Sequence, residues 1–280
     1  MNFDSLKDKV IVITGGTGVI GSSLCRALAK TGAKIAILSR REQETGKLAE
    51  ELSKEFGIKA IGTSCDVTNK ESIIHAKEVI NNLLGPIDGL INCAGGNKPG
   101  ATAQLEFLTD NLPENIDKSF FGLDPDDINS AFGLNFMGTL MPTMIFAKDM
   151  IERKSGVILN VSSMAAQRPL TKVMAYSAAK AAVDSFTTWL SVHFAKVGIR
   201  VNAIAPGFFL TEQNRFLLLD KETQQPTARG LKILANTPMG RYGETEELGG
   251  ATVFLMSDLA KFITGVVLPV DGGFNAYSGV

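Results

Sequence analysis

The chain has 280 residues, 45% hydrophobic and 20% charged, with three cysteines and a formal net charge of −1. This excludes an intrinsically disordered chain, and a pI near 6.2 offers no basic footprint for a nucleic acid. No apolar run approaches the ~18 residues of a membrane span, so neither nucleic acid nor membrane is an expected partner.

In chain order, residues 1–9 lack the apolar centre of a signal peptide. A β-branched run at 10–14 predicts the first strand, and Leu24, Leu28 and Ala29 mark a following helix. Strand and helix then alternate. Further apolar runs lie at 34–38, 60–64, 89–93, 157–161, 201–205 and 266–270. Leu48, Leu52 and Phe56 mark one intervening helix, and Ile73, Ile74, Val79, Ile80 and Leu84 another. Gly32, Gly57, Gly85 and Gly198 stand where helices should stop. The alternation predicts one α/β domain over 1–280, a Rossmann-like, doubly wound parallel sheet of about seven strands with helices on both faces. Two stretches break the rhythm. Residues 97–123 are polar and punctuated by Gly and Pro, with one short helix expected near 103–108. Residues 208–238 form a second long connection. Both leave carboxyl ends of strands, where such folds bind ligands. Asp124, Pro125, Asp126 and Asp127 read as a helix N-terminus. Met137, Met141 and Met144 read as core filling.

The first strand runs into Thr14-Gly15-Gly16-Thr17-Gly18-Val19-Ile20-Gly21, and a helix follows. Glycines let the backbone turn tightly beneath a pyrophosphate, whose charge then sits on a helix N-terminus. After the second strand come Ser39, Arg40 and Arg41. An acidic residue there would grip a ribose 2′-hydroxyl. Serine with arginines favours a 2′-phosphate, so the cofactor is expected to be NAD(P), leaning to NADP(H).

Tyr176 and Lys180 are four residues apart in an alanine-rich segment, hence on one helix face. A free phenol titrates near ~10, and a nearby ammonium and an oxidised nicotinamide would both lower it toward acid–base use. Ser163 follows the fifth strand and could donate to a substrate oxygen. His75 and His193 are isolated, with no clustered carboxylates, so no metal site is expected. Cys25, Cys65 and Cys93 form no CxxC pair or disulfide framework, which points to reduced thiols and a cytoplasmic protein.

Together these motifs resemble the short-chain dehydrogenase/reductase family, in family order from Val10 to Gly273. The order continues with Asp66-Val67, Asn92-Cys93-Ala94-Gly95, Asn135, the Ser163–Tyr176–Lys180 set, Pro206-Gly207 with Thr211, and Val270-Asp271-Gly272-Gly273. The resemblance implies that Tyr176 exchanges a proton with substrate, Lys180 binds the nicotinamide ribose, and Ser163 orients the carbonyl. It implies that Asn135 holds a water in a relay behind Lys180. Cofactor contacts would come from Gly15, Thr17, Gly18, Ile20, Gly21, Ser39, Arg40, Asp66, Val67, Asn92, Ala94, Gly95, Tyr176, Lys180, Pro206, Gly207, Phe209 and Thr211. Val19 stands where the family's single-domain branch usually has its middle glycine, and Cys93 replaces a more usual asparagine.

The stretch 97–117 reads as an insertion. With the phrases at 92–97, 162–171 and 205–215 it resembles the D-mannonate oxidoreductases (fructuronate reductases) within this family. The implied substrate is a sugar acid. A gluconate-type dehydrogenase, a 3-oxoacyl thioester reductase and a non-catalytic dinucleotide-binding protein are the alternatives. The last should lack Tyr176 or Lys180, and both are present. Ser163 and Tyr176 would meet the substrate, and its carboxylate would need donors. Arg168 and Arg215 are the leading candidates, with Asn97 as a neutral donor and Lys98, Lys172 and Asn214 in reserve. The helix carrying Phe186, Trp189 and Phe194 reads as apolar on more than one side. The resemblance implies a homodimer or homotetramer built on it.

Overall fold

The computed structural model describes residues 4–108, 115–211 and 215–279. Its seven strands arise from the seven apolar runs: β1 (Val10–Thr14), β2 (Lys34–Ser39), β3 (Ala60–Ser64), β4 (Gly89–Asn92), β5 (Gly156–Val161), β6 (Ile199–Pro206) and β7 (Val267–Val270). All pair in parallel, in the order β3-β2-β1-β4-β5-β6-β7. After β3 the chain returns to start again beside β1, so the connections leaving β1 and β4 diverge at their carboxyl ends. Ligands of open α/β sheets bind at that switch point.

The helices are α1 (Val19–Ala29), α2 (Glu42–Phe56), α3 (Lys70–Leu83), α4 (Pro125–Phe132), α5 (Gly138–Arg153), α6 (Met174–Phe194), α7 (Arg215–Leu218), α8 (Ala228–Ala235) and α9 (Glu247–Met256). Strand alternation divides the core between the two faces. Ile11 and Ile13 of β1 pack with Leu24, Leu28 and Leu248 from α1 and α9. Val10 and Val12 pack with Ile73, Ile80 and Phe146 from α3 and α5. Gly57 ends α2 with φ +67°, a left-handed stop. Asp124 opens α4 by accepting from the Asp126 and Asp127 amides at 2.8 and 2.9 Å, as its sequence predicts.

Three expectations change. No helix forms at 103–108. Its amides are taken across the loop instead: Ala103 donates to the Lys172 carbonyl, and Gln104 and Leu105 both donate to that of Lys118. Three short 3₁₀ turns, Pro99–Ala101, Ile116–Lys118 and Phe120–Gly122, carry this segment. Secondly, the 29-residue helical stretch Pro125–Arg153 is long and apolar enough to cross a membrane by length and composition alone. It is woven into the core: Phe146 and Met150 are fully buried, and Asp149 pairs with Lys77 at 2.5 Å. Thirdly, of Met137, Met141 and Met144 only Met141 packs against the core, while Met137 and Met144 are exposed. On α6, Leu190 packs inward, and Trp189 and Val192 stand exposed on the side expected to meet a second subunit.

Between α4 and α5 the helix widens to a π-turn, Gly133–Met137. Such bulges re-aim side chains and frequently mark functional sites. Here the turn carries Asn135, fully buried at the foot of the crevice.

Candidate active site

The crevice at the carboxyl ends of the strands encloses about 860 Å³, from Arg40 at one end to Thr211 at the other. Its floor is the glycine loop. Gly15 adopts φ +65°, and a Cβ there would lie 2.8 Å from the Ala94 Cα. A Cβ on Gly21 would come within 2.2 Å of the Gly15 carbonyl oxygen. The loop closes through the Gly18 amide, which donates to that carbonyl at 2.9 Å. No side chain caps α1, so its first-turn amides are left for an anion. This cradle fits a dinucleotide.

At the far end the Ser39 hydroxyl accepts from Thr17 Oγ1 at 2.9 Å and from the Arg41 amide at 3.1 Å. Arg41 donates to the Thr17 carbonyl and hydroxyl and pairs with Glu44. Sequence reasoning missed it as the residue that ties β2 to the glycine loop. Arg40 is exposed on the crevice wall. Opposite it, Asp66 is held below the usual carboxylate range by the Thr68 hydroxyl, with Arg40 assisting. Val67, Ile20, Thr17, Gly18, Ala94, Gly95, Pro206, Gly207, Phe209 and Thr211 all line the crevice with them.

Asn92 does not. Its Nδ2 donates to Thr143 Oγ1 and to Asn160 Oδ1, both at 2.9 Å, and the residue is buried. It lies at the end of β4 with its side chain turned toward α5. It fastens strands β4 and β5 to that helix, which corrects its expected contact with the cofactor.

Tyr176, Lys180, Ser163 and Asn135 all line the crevice, with Asn135 and Lys180 flanking Gly95. The Ser163 hydroxyl lies near enough to the Tyr176 phenol to draw its titration down. Ser163 opens the 3₁₀ turn Met164–Ala166, with its Oγ accepting from the Ala165 amide at 3.1 Å. Lys180 lies one turn beyond Tyr176, its Nζ 5.8 Å from the ring centre and donating to the Val161 carbonyl at 2.8 Å. That leaves two of its three donors for the crevice. Burial brings the Lys180 ammonium down to about 8, against the opposing pull of Cys93 and Asp184. Burial raises the Tyr176 phenol, while Ser163 draws it back down. The expected depression by Lys180 is therefore absent among the chain's own groups: desolvation wins.

Asn135 donates its amide to the Gly96 and Ala131 carbonyls at 2.6 and 2.8 Å, and its Oδ1 accepts from the Gly96 amide. Both donors are committed, so only its oxygen could serve a relay. Its visible work is to hold the wall at Gly95–Gly96 against Lys180.

The substrate side is less as expected. Asn97 lines the crevice and donates to Thr102 Oγ1 at 2.7 Å. Arg168 does not line it. Its Nε and Nη2 both donate to the Asn275 carbonyl, at 3.2 and 3.0 Å. Arg215 begins α7 and is also outside the crevice lining. Neither of the favoured arginines meets the expected place for a carboxylate. Asn214 lies outside the described residues. Among the described lining residues the cations are Arg40, Arg41 and Lys180.

Residues 9–222 match the short chain dehydrogenase family. The chain belongs to the short-chain dehydrogenase/reductase family. An uncharacterised oxidoreductase of Haemophilus influenzae is 50% identical to this dehydrogenase over 99% of its length and 96% of the relative. A solved structure of a candidate D-mannonate oxidoreductase from Haemophilus influenzae with bound NAD is 50% identical, with a TM-score of 0.93, covering 99% and 98% of the two chains. A gluconate 5-dehydrogenase from Burkholderia cenocepacia, solved with NADP and tartrate, is 32% identical with a TM-score of 0.83, covering 99% and 98%. This short-chain dehydrogenase is an oxidoreductase that binds a nicotinamide cofactor.

Proposed function

We propose that this oxidoreductase interconverts a secondary alcohol and a ketone on a sugar acid, with D-mannonate and D-fructuronate as the leading pair. The observation that carries the reaction type is the Ser163–Tyr176–Lys180 set placed beside the glycine cradle. When bound, a nicotinamide cofactor would supply or accept the hydride. In reduction, the Tyr176 phenol gives its proton to the carbonyl oxygen, which Ser163 holds by a second hydrogen bond. Lys180 presents its free donors to the nicotinamide ribose. Asn135 fixes the Gly95–Gly96 wall, and its Oδ1 is the group through which a relay water would be held.

The relatives' names support a sugar acid: one is a candidate D-mannonate oxidoreductase and another a gluconate 5-dehydrogenase. The second name, from a structure that also holds tartrate, favours a gluconate-type substrate as the other reading. With no free cation on the described substrate wall, Asn97 is the proposed carboxylate donor, through its second amide hydrogen. Purified protein should reduce D-fructuronate or 5-ketogluconate far faster than an uncharged ketose of the same length. Preference for the neutral ketose, or for a 3-oxoacyl thioester, would remove the sugar-acid assignment.

NADP(H) is the proposed preferred cofactor. Arg40 stands exposed at the adenosine end, and no carboxylate occupies the tip of β2. Ser39→Asp should invert the preference toward NAD(H), because it adds a charge that repels a 2′-phosphate. The comparison is kcat/KM with each cofactor. A wild type that strongly prefers NAD(H) would show that Arg40 serves something else. We also propose a cytoplasmic homodimer or homotetramer that covers Trp189 and Val192, for which light scattering is the test.

A further inference from the structure

The loop that carries Ser163 is anchored at both ends by side chains that the hydride-transfer chemistry does not require. At its start, the Ser162 hydroxyl donates to the Asp184 carboxylate, one turn beyond Lys180 on α6. The Ser162 amide is held by the Ile204 carbonyl of β6 at 2.8 Å. At its far end, Arg168 clamps the Asn275 carbonyl through two donors, and the Asn275 side-chain amide donates to Gln167. Burial raises the Asp184 carboxyl while Ser162 and Gln167 both draw it back down, so the two anchors meet beside one side chain.

Asn275 belongs to a turn, residues 271–275, that follows β7. Asp271 builds this turn by accepting from the Gly273 and Asn275 backbone amides at 2.9 and 2.8 Å. The turn is also pressed against the loop after β6. A Cβ on Gly207 would lie 2.6 Å from that of Asp271, and the Phe208 and Phe274 rings meet edge to face at 5.5 Å. Residues 271–275 therefore touch both loops that border the substrate side: the Ser163 loop through Arg168 and Gln167, and the 206–211 loop through Gly207 and Phe208.

We infer that the turn at 271–275 is a positioning element for Ser163, with Arg168 as the residue that couples it to the loop. The inference rests on the reading of Ser163 as the group that orients the substrate carbonyl. Ser163 must meet the Tyr176 phenol and a substrate oxygen together, so its tolerance is narrow. The stretch between its two anchors is one 3₁₀ turn. Freeing one end lets the Ser163 hydroxyl drift from Tyr176 without touching the glycine cradle, which lies across the crevice.

Arg168→Met tests this on the full chain in two independent ways. Hydrogen–deuterium exchange without cofactor or substrate should show faster exchange at residues 164–168 and 273–277 and unchanged exchange at 15–21. In steady state, kcat/KM should fall between about ten- and a hundredfold, equally on a sugar acid and on its uncharged analogue, with cofactor Kd unchanged. Arg168→Lys, which keeps one donor to the Asn275 carbonyl, should recover part of the loss. A loss confined to the sugar acid would make Arg168 a carboxylate ligand and overturn the inference. So would wild-type exchange at 164–168. If the exchange changes as expected but wild type reduces no sugar acid, the substrate assignment fails and the positioning role stands.

Discussion

Tyr176→Phe is expected to lower turnover by about 10²–10⁴-fold, the usual worth of a general acid–base group, and to leave cofactor affinity unchanged. The substitution removes the only atom that gives the proton and keeps the ring in place. Burial raises the phenol, which favours the protonated form that reduction requires. The two directions should therefore respond oppositely to pH. Oxidation needs the phenolate and should accelerate as pH rises. Reduction needs the phenol and should slow once pH passes its titration. Both pH dependences should vanish from the residual activity of the variant. Turnover close to wild type in Tyr176→Phe would place the proton elsewhere.

Gly21→Ala should abolish measurable dinucleotide binding while the protein remains folded. The new Cβ would stand 2.2 Å from the Gly15 carbonyl oxygen and 2.8 Å from the Gly16 Cα, and both are backbone. Neither can yield as a flexible side chain would. The loop must therefore open at the place where first-turn amides of α1 converge on a phosphate. Titration by cofactor fluorescence reads the loss, and circular dichroism checks the fold. Binding of wild-type strength would mean that the cradle lies elsewhere in the crevice.

Most of the sheet was legible because the five inner strands are largely buried and read as short apolar runs, while the edge strands β3 and β7 are only partly buried. The candidate set of Ser163, Tyr176 and Lys180 was legible because it lies in local spacing, Tyr176 and Lys180 one turn apart and Ser163 at the end of β5, and all three line one crevice. What local spacing cannot carry was misread. Arg168 sits five residues past Ser163, and nothing in that distance reveals that the Asn275 carbonyl, more than a hundred residues on, takes two of its donors. Asn92 lies within a cofactor-lining motif, yet alternation along β4 turns its side chain toward Thr143 and Asn160. The phenol's direction of shift was also beyond the sequence, since an i,i+4 lysine suggests depression and only burial in the fold reverses it. Asp184 did leave a signal. It lies four residues after Lys180, on the same face of α6, where a charge near a catalytic lysine invites a role.

The most direct measurement incubates the protein with a nicotinamide cofactor deuterated at its transferable position together with D-fructuronate, and reads the product by mass spectrometry. One deuterium per turnover should appear on the carbinol carbon of a sugar acid, and about 10²–10⁴-fold less with Tyr176→Phe over the same interval. Cofactor oxidation that leaves no deuterium on a sugar acid, with either nicotinamide cofactor and with D-fructuronate or 5-ketogluconate, would overturn the sugar-acid reductase assignment.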